Sequence, residues 1–385
     1  MTKGNFPVDK LKGIETPFYY YDMDLLKRTL KIVKEETKKY GFVQHYAVKA
    51  NANRRILELI ASEGFGADCV SGNEVKAAVN AGFPASKIVF AGVGKTDKEI
   101  NLALDLNIFC FNVESLPELE VINELASKKG KLAQVALRIN PNVDAHTHEY
   151  ITTGLNENKF GFAMAHLDAV IEKLKSLKAI KLIGIHFHIG SQIEEAETFE
   201  PLCERVNELQ VYFEEKEIKL EHINLGGGLG IDYENPDAHP VSDFAGYFAL
   251  FNKSLKLRDG QIAHFELGRS IVAQCGALVT RTTYVKHGEN KVFVIVDAGM
   301  TDLIRPALYQ AYHKIENISS NLTVKKYDVV GPICESSDVF AKDYELNETQ
   351  RGDILVLRSA GAYGEIMASQ YNCRELPKPY YSDKI

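Results

Sequence analysis

Short runs of β-branched and aromatic residues alternate with amphipathic stretches over the first two thirds of the chain. Eight runs predict strands by their length and composition: Val43–Val48, Gly66–Val70, Ile88–Ala91, Ile108–Val113, Ala133–Ile139, Ile183–Ile189, His222–Leu225 and Ile262–Leu267. The stretches between them have helical spacing, as in Arg54–Ser62, Glu74–Ala81, Leu116–Ser127, Leu167–Leu177 and Phe199–Lys216. Strands that alternate with helices favour a parallel sheet, and eight such units favour an α/β fold closed into a (β/α)8 barrel. An open doubly wound sheet is the competing architecture, although no GxGxxG motif follows the first strand.

The pattern changes from about Val272, where β-type runs become closely spaced and helical periodicity weakens. These runs are Ala277–Tyr284, Val292–Val296, Tyr327–Val330 and Ile354–Leu357. They predict a second, mostly antiparallel β domain. The early run Phe18–Tyr21 precedes the first helix and is free to join that domain. We therefore expect a barrel over 28–270 and a β domain formed by 1–27 and 271–385.

Composition and charge limit the classes of function. The chain has 385 residues, and 45 Lys and Arg against 52 Asp and Glu give a net charge of −7, which argues against a nucleic-acid-binding surface. No run approaches the roughly 18 apolar residues of a membrane span. The polar start Met1–Leu11 has no stretch of signal-peptide type. The 6 cysteines are scattered without a CxxC pair, so we expect a reduced, cytoplasmic protein.

Lys49 is the first candidate for chemistry, because it follows the first predicted barrel strand. Barrel active sites lie at the carboxyl ends of the strands. A lysine among apolar neighbours there would have a lowered pKa, and its neutral amine would attack a carbonyl to form a Schiff base. A surface lysine at the start of a loop is the alternative, and the spacing alone does not decide between them.

Three consecutive glycines, Gly226–Gly228, follow the seventh predicted strand. Glycines allow backbone N–H groups to approach a phosphate closely, whereas the structural alternative is a tight turn. The eighth strand ends in Glu266 and Arg269, which places a carboxylate and a guanidinium beside that loop. Phosphate sites formed by the loops after strands seven and eight recur in these barrels. We therefore predict a phosphate site at these glycines.

His186 and His188 lie two residues apart on the sixth predicted strand, so their side chains face the same side. They form either a metal-binding pair or one wall of a site. A second pair, His146 and His148, follows the fifth strand. Because the first strand ends in lysine rather than a carboxylate, we expect no metal.

The predicted β domain contains two glycine-bounded segments, Gly331–Asp338 and Ala360–Gly364. The first holds Cys334 next to Glu335, a pair that suits a proton donor or nucleophile but also occurs as packed small residues. Arg305 and Tyr309 lie four residues apart and share one face if this segment is a helix. They form either a carboxylate site or a solvated pair. Each of these signals is weak alone.

Together, the motifs closely resemble those of the diaminopimelate decarboxylase family, among the fold-type III pyridoxal-phosphate decarboxylases with an alanine-racemase-like barrel. The motifs are YAVKAN around Lys49, DCVSGNE at Asp68–Glu74, FHIGSQ at Phe187–Gln192, GGGLG at Gly226–Gly230, ELGRS, RPALY at Arg305–Tyr309, GPICESSD and AGAYG. The resemblance extends from about Phe18 to Tyr371. One departure is Leu267, since the family usually has proline at this position.

The resemblance implies roles for these residues. Lys49 is similar to the lysine that holds pyridoxal 5'-phosphate, and Cys334 to the residue that protonates the product. The other positions implied to bind cofactor are His188, Ser191, Gly227, Gly228, Glu266, Leu267, Gly268, Arg269 and Tyr363. Those implied to bind substrate are Arg269, Arg305, Tyr309, Glu335 and Tyr363. Asn156–Gly161 resembles the family's loop over the active site.

The implied activity is decarboxylation of meso-2,6-diaminopimelate to L-lysine and carbon dioxide, by a homodimer that shares its active sites. The cysteine loop of this family comes from the second subunit. Glu335 and Arg305 supply the acidic and basic groups that a distal centre with an ammonium and a carboxylate requires. The alternatives are decarboxylation of ornithine, arginine or carboxynorspermidine, and a barrel that binds the cofactor without catalysis.

Overall fold

The computed structural model describes residue 4, residues 6–142 and residues 159–385. The chain divides into two compact units. The barrel unit comprises Leu30–Gly230 and Asp243–Gly268, and the β unit comprises Met1–Thr29, Ile231–Ser242 and Arg269–Ile385. The segment Ile231–Ser242 lies between barrel residues in the sequence but belongs to the β unit. The predicted domain limits of 28–270 and 1–27 with 271–385 stay a prediction.

Eight parallel strands close the barrel unit. They are β2 (Val43–Ala47), β3 (Gly66–Cys69), β4 (Ile88–Phe90), β5 (Cys110–Val113), β6 (Ala133–Arg138), β7 (Ile180–His186), β8 (His222–Asn224) and β9 (Ile262–Phe265). The strands pair in chain order, and β9 closes on β2 with Val43 opposite His264. The predicted (β/α)8 barrel is therefore confirmed. The sixth predicted strand begins and ends three residues earlier than its apolar run suggested.

Eleven α-helices occur among the described residues. They are α1 (Val8–Leu11), α2 (Met23–Tyr40), α3 (Arg54–Ser62), α4 (Gly72–Asn80), α5 (Asp97–Leu106), α6 (Leu116–Lys128), α7 (Leu167–Leu174), α8 (Glu200–Glu215), α9 (Phe244–Ser254), α10 (Arg269–Val272) and α11 (Arg305–Tyr309). Side chains cap α3 to α6 by accepting backbone N–H bonds at Asn53, Ser71, Thr96 and Ser115. These caps fix where the chain turns from strand to helix. None of the described helices is both long and apolar enough to cross a membrane.

Helix α9 shows how the helices attach to the barrel. Phe244, Tyr247, Phe248 and Phe251 recur at the spacing of one helical face, and all are essentially fully buried. Tyr247, Phe248 and Phe251 pack with their rings 4.9 to 5.7 Å from Phe265 of β9. Burying each of these rings contributes on the order of 2 kcal/mol from the hydrophobic effect.

The β unit contains β1 (Phe18–Tyr21), β10 (Gly276–His287), β11 (Val292–Val296), β12 (Ile315–Asn317), β13 (Val324–Val330), β14 (Val339–Asn347), β15 (Ile354–Leu357) and β16 (Lys378–Tyr381). Its main strand order is β12-β15-β10-β11-β13-β14, and β1 joins β10 in antiparallel register. Most pairs are antiparallel, as predicted, with β11–β13 and β1–β16 parallel.

The sequence analysis missed β12, β14 and β16. Strands β12 and β14 lie at the two edges of the main strand order. Edge strands carry polar and charged residues that discourage further pairing, so their apolar alternation is weak. Strand β14 accordingly holds Lys342, Asp343 and Glu345, and β16 begins with a lysine followed by proline.

Three histidines form a hydrogen-bonded chain across neighbouring strands of the barrel. His45 Nδ1 lies 3.1 Å from the carbonyl oxygen of Lys87, which requires that this nitrogen carries the hydrogen. His45 Nε2 then accepts from His264 Nδ1, and His264 Nε2 accepts from His222 Nδ1, each at 2.9 Å. His45 and His264 are therefore neutral with fixed tautomers, because an added proton on either ring would place two N–H groups against each other.

Burial and this geometry favour the neutral form of all three rings. Burial lowers the pKa of His45 to about 4. It also lowers the pKa of His264 well below its ordinary value, with a further contribution from His45, and the pKa of His222 falls for the same main reason. The unfolded chain binds these protons near pH 6.5. Stability is therefore complete above that pH and decreases as the pH falls towards about 4.

Replacing His264 with glutamine should make stability less sensitive to acid. The wild-type free energy of unfolding should fall between about pH 7 and about pH 5, and the fall should be smaller in His264→Gln by about 1 to 2 kcal/mol. Urea unfolding followed by circular dichroism at both pH values measures this difference.

The matched control is His287→Gln, because His287 is exposed at the end of β10. It should keep the wild-type pH dependence. An equal fall for wild type and His264→Gln would show that the histidine chain does not govern acid sensitivity.

Candidate active site

Lys49 lies just beyond the carboxyl end of β2, in a 3-10 turn over Val48–Ala50. Its side chain is half-buried, while its two neighbours in the turn are fully buried. The positive charge of Lys49 acts on Asp68, Glu74 and His188, so the amine lies among ionisable groups. This is the strand-end position that the sequence predicted.

Glu266 directly follows β9 and is only 7 % exposed. Three side chains from three other strands surround its carboxylate. Asn112 and Asn224 donate amide N–H bonds to Oε1 at 3.0 and 2.7 Å, and His186 Nε2 lies 2.9 Å from Oε2. A buried carboxylate is stable only when such donors replace water. The closed barrel supplies them because its strands all direct alternate side chains inward.

The pKa values of Glu266 and Asp68 are shifted in opposite directions. Burial would raise the pKa of Glu266, but His186 and the donated hydrogen bonds outweigh burial and lower that pKa below its usual range. Asp68 on β3 is buried, and burial together with the charge of Glu266 raises its pKa well above the ordinary value, which Lys49 only partly offsets. Burial and the charge of Glu266 therefore favour the protonated form of Asp68, whereas Glu266 itself favours the ionised form. Its Oδ1 has no hydrogen-bond partner among the described residues.

His188 is neutral in this environment. Burial lowers the pKa of His188 well below its ordinary value, and the charges of Lys49 and Arg138 lower it further. Its Nδ1 lies 3.4 Å from the backbone nitrogen of Gly227. A neutral imidazole exposes an uncharged aromatic face, which suits stacking on another ring.

His186 and His188, which were predicted as a pair, have different contacts in the structure. His186 binds Glu266 inside the barrel, whereas His188 lies next to the glycine run. No three His, Cys, Asp or Glu side chains of the described residues are placed to hold a metal ion. The second predicted pair, His146 and His148, lies outside the described residues, as do residues 156–158 of the predicted loop.

The glycine run Gly226–Gly228 follows β8 and packs against neighbouring backbone. Gly226 and Gly228 have positive φ of 69° and 123°, which favours glycine. A Cβ at Gly227 would clash with the carbonyl oxygen of Glu266. The backbone N–H of Gly228 has no acceptor among the described residues. Asn224 Oδ1 and His188 Nδ1 accept the N–H groups of Gly226 and Gly227, so the Gly228 N–H is the donor of the run that remains available to an anion.

Leu267, Gly268 and Ser191 complete the predicted cofactor positions of the barrel unit. Leu267 is fully buried, and its carbonyl accepts the backbone N–H of Ala47 at 3.2 Å. A Cβ at Gly268 would lie 2.9 Å from that of Ala47, so glycine lets this segment pass the Lys49 turn. Ser191 is half-buried in the segment after β7.

The barrel residues fit pyridoxal phosphate. Lys49 supplies an amine for the aldehyde, Gly228 a backbone donor for the phosphate, and His188 a neutral ring for stacking. Glu266 supplies an ionised carboxylate, which suits a protonated pyridine nitrogen.

In the β unit, Tyr233 joins two of the predicted substrate residues. Arg269 and Arg305 begin α10 and α11, and both are 6 % exposed. Nη1 of each guanidinium donates to the Tyr233 hydroxyl oxygen at 2.7 Å. The carbon Cζ of Arg305 also lies 5.3 Å from the centre of the Tyr233 ring. The sequence analysis did not single out Tyr233.

Tyr363 and Tyr309 belong to the same group. Tyr363 has a positive φ of 56° and places its ring 5.0 Å from the guanidinium carbon of Arg269. Burial lowers the pKa of Arg269, but Tyr233, Tyr363 and Tyr309 together raise it above its ordinary value. Tyr309 and Tyr363 therefore act on Arg269, which shares Tyr233 with Arg305. These four predicted substrate residues belong to one cluster.

Cys334 and Glu335 lie apart from this group, on an exposed loop. Buried Asp338 fixes the loop by accepting backbone N–H bonds from Met300 at 2.6 Å and Ile333 at 2.7 Å. Cys334 is exposed. Glu335 is exposed too, and its Oε1 accepts from the hydroxyl of a tyrosine, Tyr371, at 2.6 Å. Among the described contacts of one chain, Glu335 and Arg305 form no ion pair.

Comparison with known proteins identifies the family. Residues 24–273 match the family described as pyridoxal-dependent decarboxylase, pyridoxal binding domain. The diaminopimelate decarboxylase of Bacteroides thetaiotaomicron is 62% identical over 384 residues, which cover 100% of both chains. That of Neisseria meningitidis serogroup A is 44% identical over 93% of this chain and 87% of its own.

A solved structure agrees with these sequences. The crystal structure of diaminopimelate decarboxylase from Helicobacter pylori complexed with L-lysine matches with a TM-score of 0.92 at 41% identity. The match covers 98% of this chain and 94% of that chain. The chain therefore belongs to the pyridoxal-dependent decarboxylases, in the diaminopimelate decarboxylase family.

Proposed function

We propose that the chain decarboxylates meso-2,6-diaminopimelate to L-lysine and carbon dioxide with pyridoxal 5'-phosphate. The observation that carries this proposal is 62% identity over the full length to a diaminopimelate decarboxylase. The L-lysine in the Helicobacter pylori structure is the expected product. The site residues fit this reaction better than decarboxylation of ornithine, arginine or carboxynorspermidine.

The cofactor, when bound, supplies an electron sink for the pair left when the carboxylate departs. Lys49 would hold the cofactor covalently through Nζ, and the Gly227–Gly228 backbone would bind its phosphate. Ser191 would also bind the cofactor, because it directly follows Gly190, whose carbonyl oxygen faces Gly228. Glu266 keeps a proton at the pyridine nitrogen because its own pKa is lowered. His188 covers one face of the ring and excludes water from it.

The distal end of the substrate determines specificity. Its second centre carries a carboxylate for Arg305 and Arg269 and an ammonium for Glu335. Tyr309 and Tyr363 line the same group of arginines. An ornithine side chain ends in an ammonium alone and would leave buried Arg305 without an anion, at a cost of a few kcal/mol. The pocket thus selects for a distal carboxylate.

Cys334 protonates the carbon that has lost its carboxylate, from the partner subunit of a homodimer. Two observations support this assembly. Cys334 and Glu335 are exposed in the single chain and so are not sheltered in a site of their own. Large apolar side chains of the β unit are exposed as well, namely Leu308, Tyr312, Ile366, Tyr371 and Leu376. A dimer interface would cover such residues.

Leu267 replaces the proline that the family usually has before Gly268. Proline restricts the unfolded chain and stiffens a loop. Here Leu267 is fully buried and its carbonyl is hydrogen-bonded, so packing restrains the segment instead. We therefore expect the substitution to leave the orientation of Glu266 and Arg269 intact.

Lys49→Ala should abolish the visible absorbance of bound cofactor, since Nζ forms the covalent link. Borohydride reduction of the wild type, followed by peptide mass spectrometry, should place the cofactor on the peptide that contains Lys49. Lys76→Ala, which removes an exposed lysine on α4, is the control and should keep the absorbance. Full absorbance in Lys49→Ala would mean that another lysine binds the cofactor.

Purified protein with pyridoxal phosphate should release lysine and carbon dioxide from meso-diaminopimelate but no product from ornithine, arginine or carboxynorspermidine. Separate end-point assays measure each amine, and Lys49→Ala protein serves as the blank. Product from another amine alone would keep the cofactor assignment but contradict the role of Arg305. No product from any of them, with cofactor bound, would favour a non-catalytic barrel.

Lys49→Ala and Cys334→Ala should each be nearly inactive alone and partly active after their subunits are mixed and reassociated. Half of the reassorted dimers then carry one intact site, so about a quarter of wild-type activity should return. Turnover assays before and after mixing measure this recovery. If Cys334 served its own chain, mixing would restore no activity.

A further inference from the structure

Arg305 is a buried cation without a carboxylate. It is 6 % exposed, and among the described residues no Asp or Glu oxygen lies within ion-pair distance of it. Its Nη1 donates to Tyr233, and its Nε has no hydrogen-bond partner in the described chain. A buried guanidinium without a counter-ion is costly. The group is therefore arranged for an anion that the β unit itself does not supply.

The Tyr233 hydroxyl still has a hydrogen that it can donate. Its oxygen accepts Nη1–H of Arg269 and Nη1–H of Arg305, both at 2.7 Å. A phenol oxygen that accepts two hydrogen bonds still has its own O–H to donate. Within the described residues this hydrogen meets no acceptor, because all recorded hydrogen bonds of Tyr233 are to the two arginines.

The nearest aromatic neighbour adds no negative charge. The His313 ring lies edge-on to Tyr233, with ring centres 5.3 Å apart. Burial, with a further contribution from Arg305, lowers the pKa of His313 to about 3, so His313 is neutral. Its Nδ1 is bonded to the carbonyl of Arg358 at 2.9 Å, which fixes the ring. Tyr233 is thus held by its ring, while its oxygen faces two cations.

The two cations also change the acidity of the hydroxyl. Burial raises the pKa of Tyr233, but Arg269 and Arg305 outweigh burial and lower the pKa below its ordinary value of 10.0. A hydroxyl with a lowered pKa is a stronger hydrogen-bond donor. Tyr233 is therefore polarised to donate to an incoming anion.

We propose that Tyr233 positions the two arginines and donates its O–H to the substrate carboxylate that is not removed. The inference rests on the proposed function and deepens it. Tyr233 fixes the spacing of Arg269 and Arg305, so that both guanidiniums face a single carboxylate. This carboxylate survives in L-lysine, because decarboxylation removes only the other one. Tyr233 thereby contributes to the preference for a substrate with a distal carboxylate.

Tyr233→Phe tests this inference because it removes the hydroxyl but keeps the ring that packs on His313 and Arg305. Loss of hydrogen bonds to charged groups should raise KM for meso-diaminopimelate about 10- to 100-fold. The change in kcat should stay within about threefold, because the hydroxyl binds a part of the substrate that does not react. Steady-state kinetics of the holoenzyme give both values.

Two inhibitors separate carboxylate binding from a general structural effect. L-lysine keeps the distal carboxylate, whereas pentane-1,5-diamine has the same chain without it. In Tyr233→Phe the inhibition constant of L-lysine should rise about 10- to 100-fold, and that of the diamine should stay within about twofold of wild type. Cofactor absorbance should match that of wild type, which shows that the variant is folded.

Tyr284→Phe is the matched control, since Tyr284 on β10 is 59% exposed and has no part in the site or the proposed dimer interface. It should leave KM and both inhibition constants unchanged. An unchanged KM in Tyr233→Phe, or equal weakening of both inhibitors, would overturn the inference while lysine production by wild type still upheld the proposed function. If wild type made no lysine from meso-diaminopimelate, the proposed function itself would fail.

Discussion

The site in the barrel unit depends on the burial of one ionised carboxylate, that of Glu266. Moving a carboxylate out of water costs several kcal/mol unless protein donors replace the solvent. Here Asn112, His186 and Asn224 replace it, each from a different strand. Such a cage forms only when the strands close into a barrel, because closure brings β5, β7, β8 and β9 around one point. The charge that the chemistry requires is therefore stabilised by the fold as a whole.

This carboxylate also sets the state of its surroundings. Burial and the charge of Glu266 raise the pKa of Asp68, so the pKa values of the two carboxyl groups are separated. Paired titratable groups whose environments separate their pKa values serve different roles in a reaction. His188 responds to the same field, since burial and Lys49 lower its pKa whereas Glu266 raises it. The protonation pattern follows from packing, before any ligand binds.

The sequence predicts the barrel because eight apolar runs separated by helices have few other parallel arrangements. It also places Lys49 and the glycine run, since both lie at the ends of recognisable strands. It does not reveal that Asn112 and Asn224 contact Glu266, because these two residues lie 154 and 42 residues away from Glu266 in the chain. A polar residue inside an apolar strand is the available signal, but it does not say which residue it contacts.

Tyr233 was missed for a related reason. The segment that holds it follows the glycine run in the barrel sequence, yet groups with the β unit, and no periodic pattern marks this change. Edge strand β14 was missed because exposed charged residues interrupt its apolar alternation, and β12 because two of its three residues are buried polar groups, Glu316 and Asn317. Sequence patterns therefore predict buried, regular elements well. They predict less where a short irregular segment supplies a single polar atom.

Under the proposed function, the charges of the β unit would make specificity arise from a penalty as much as from attraction. Arg305 has no carboxylate of its own in the described chain, and neutral His313 offers none. In this proposal a substrate with a distal carboxylate would compensate this charge, whereas one with only a distal amine would add a third cation beside Arg305 and Arg269. Like charges in a buried site cost more than a lost hydrogen bond, because the surrounding dielectric is low. Discrimination therefore follows from leaving one arginine unpaired until the right substrate binds.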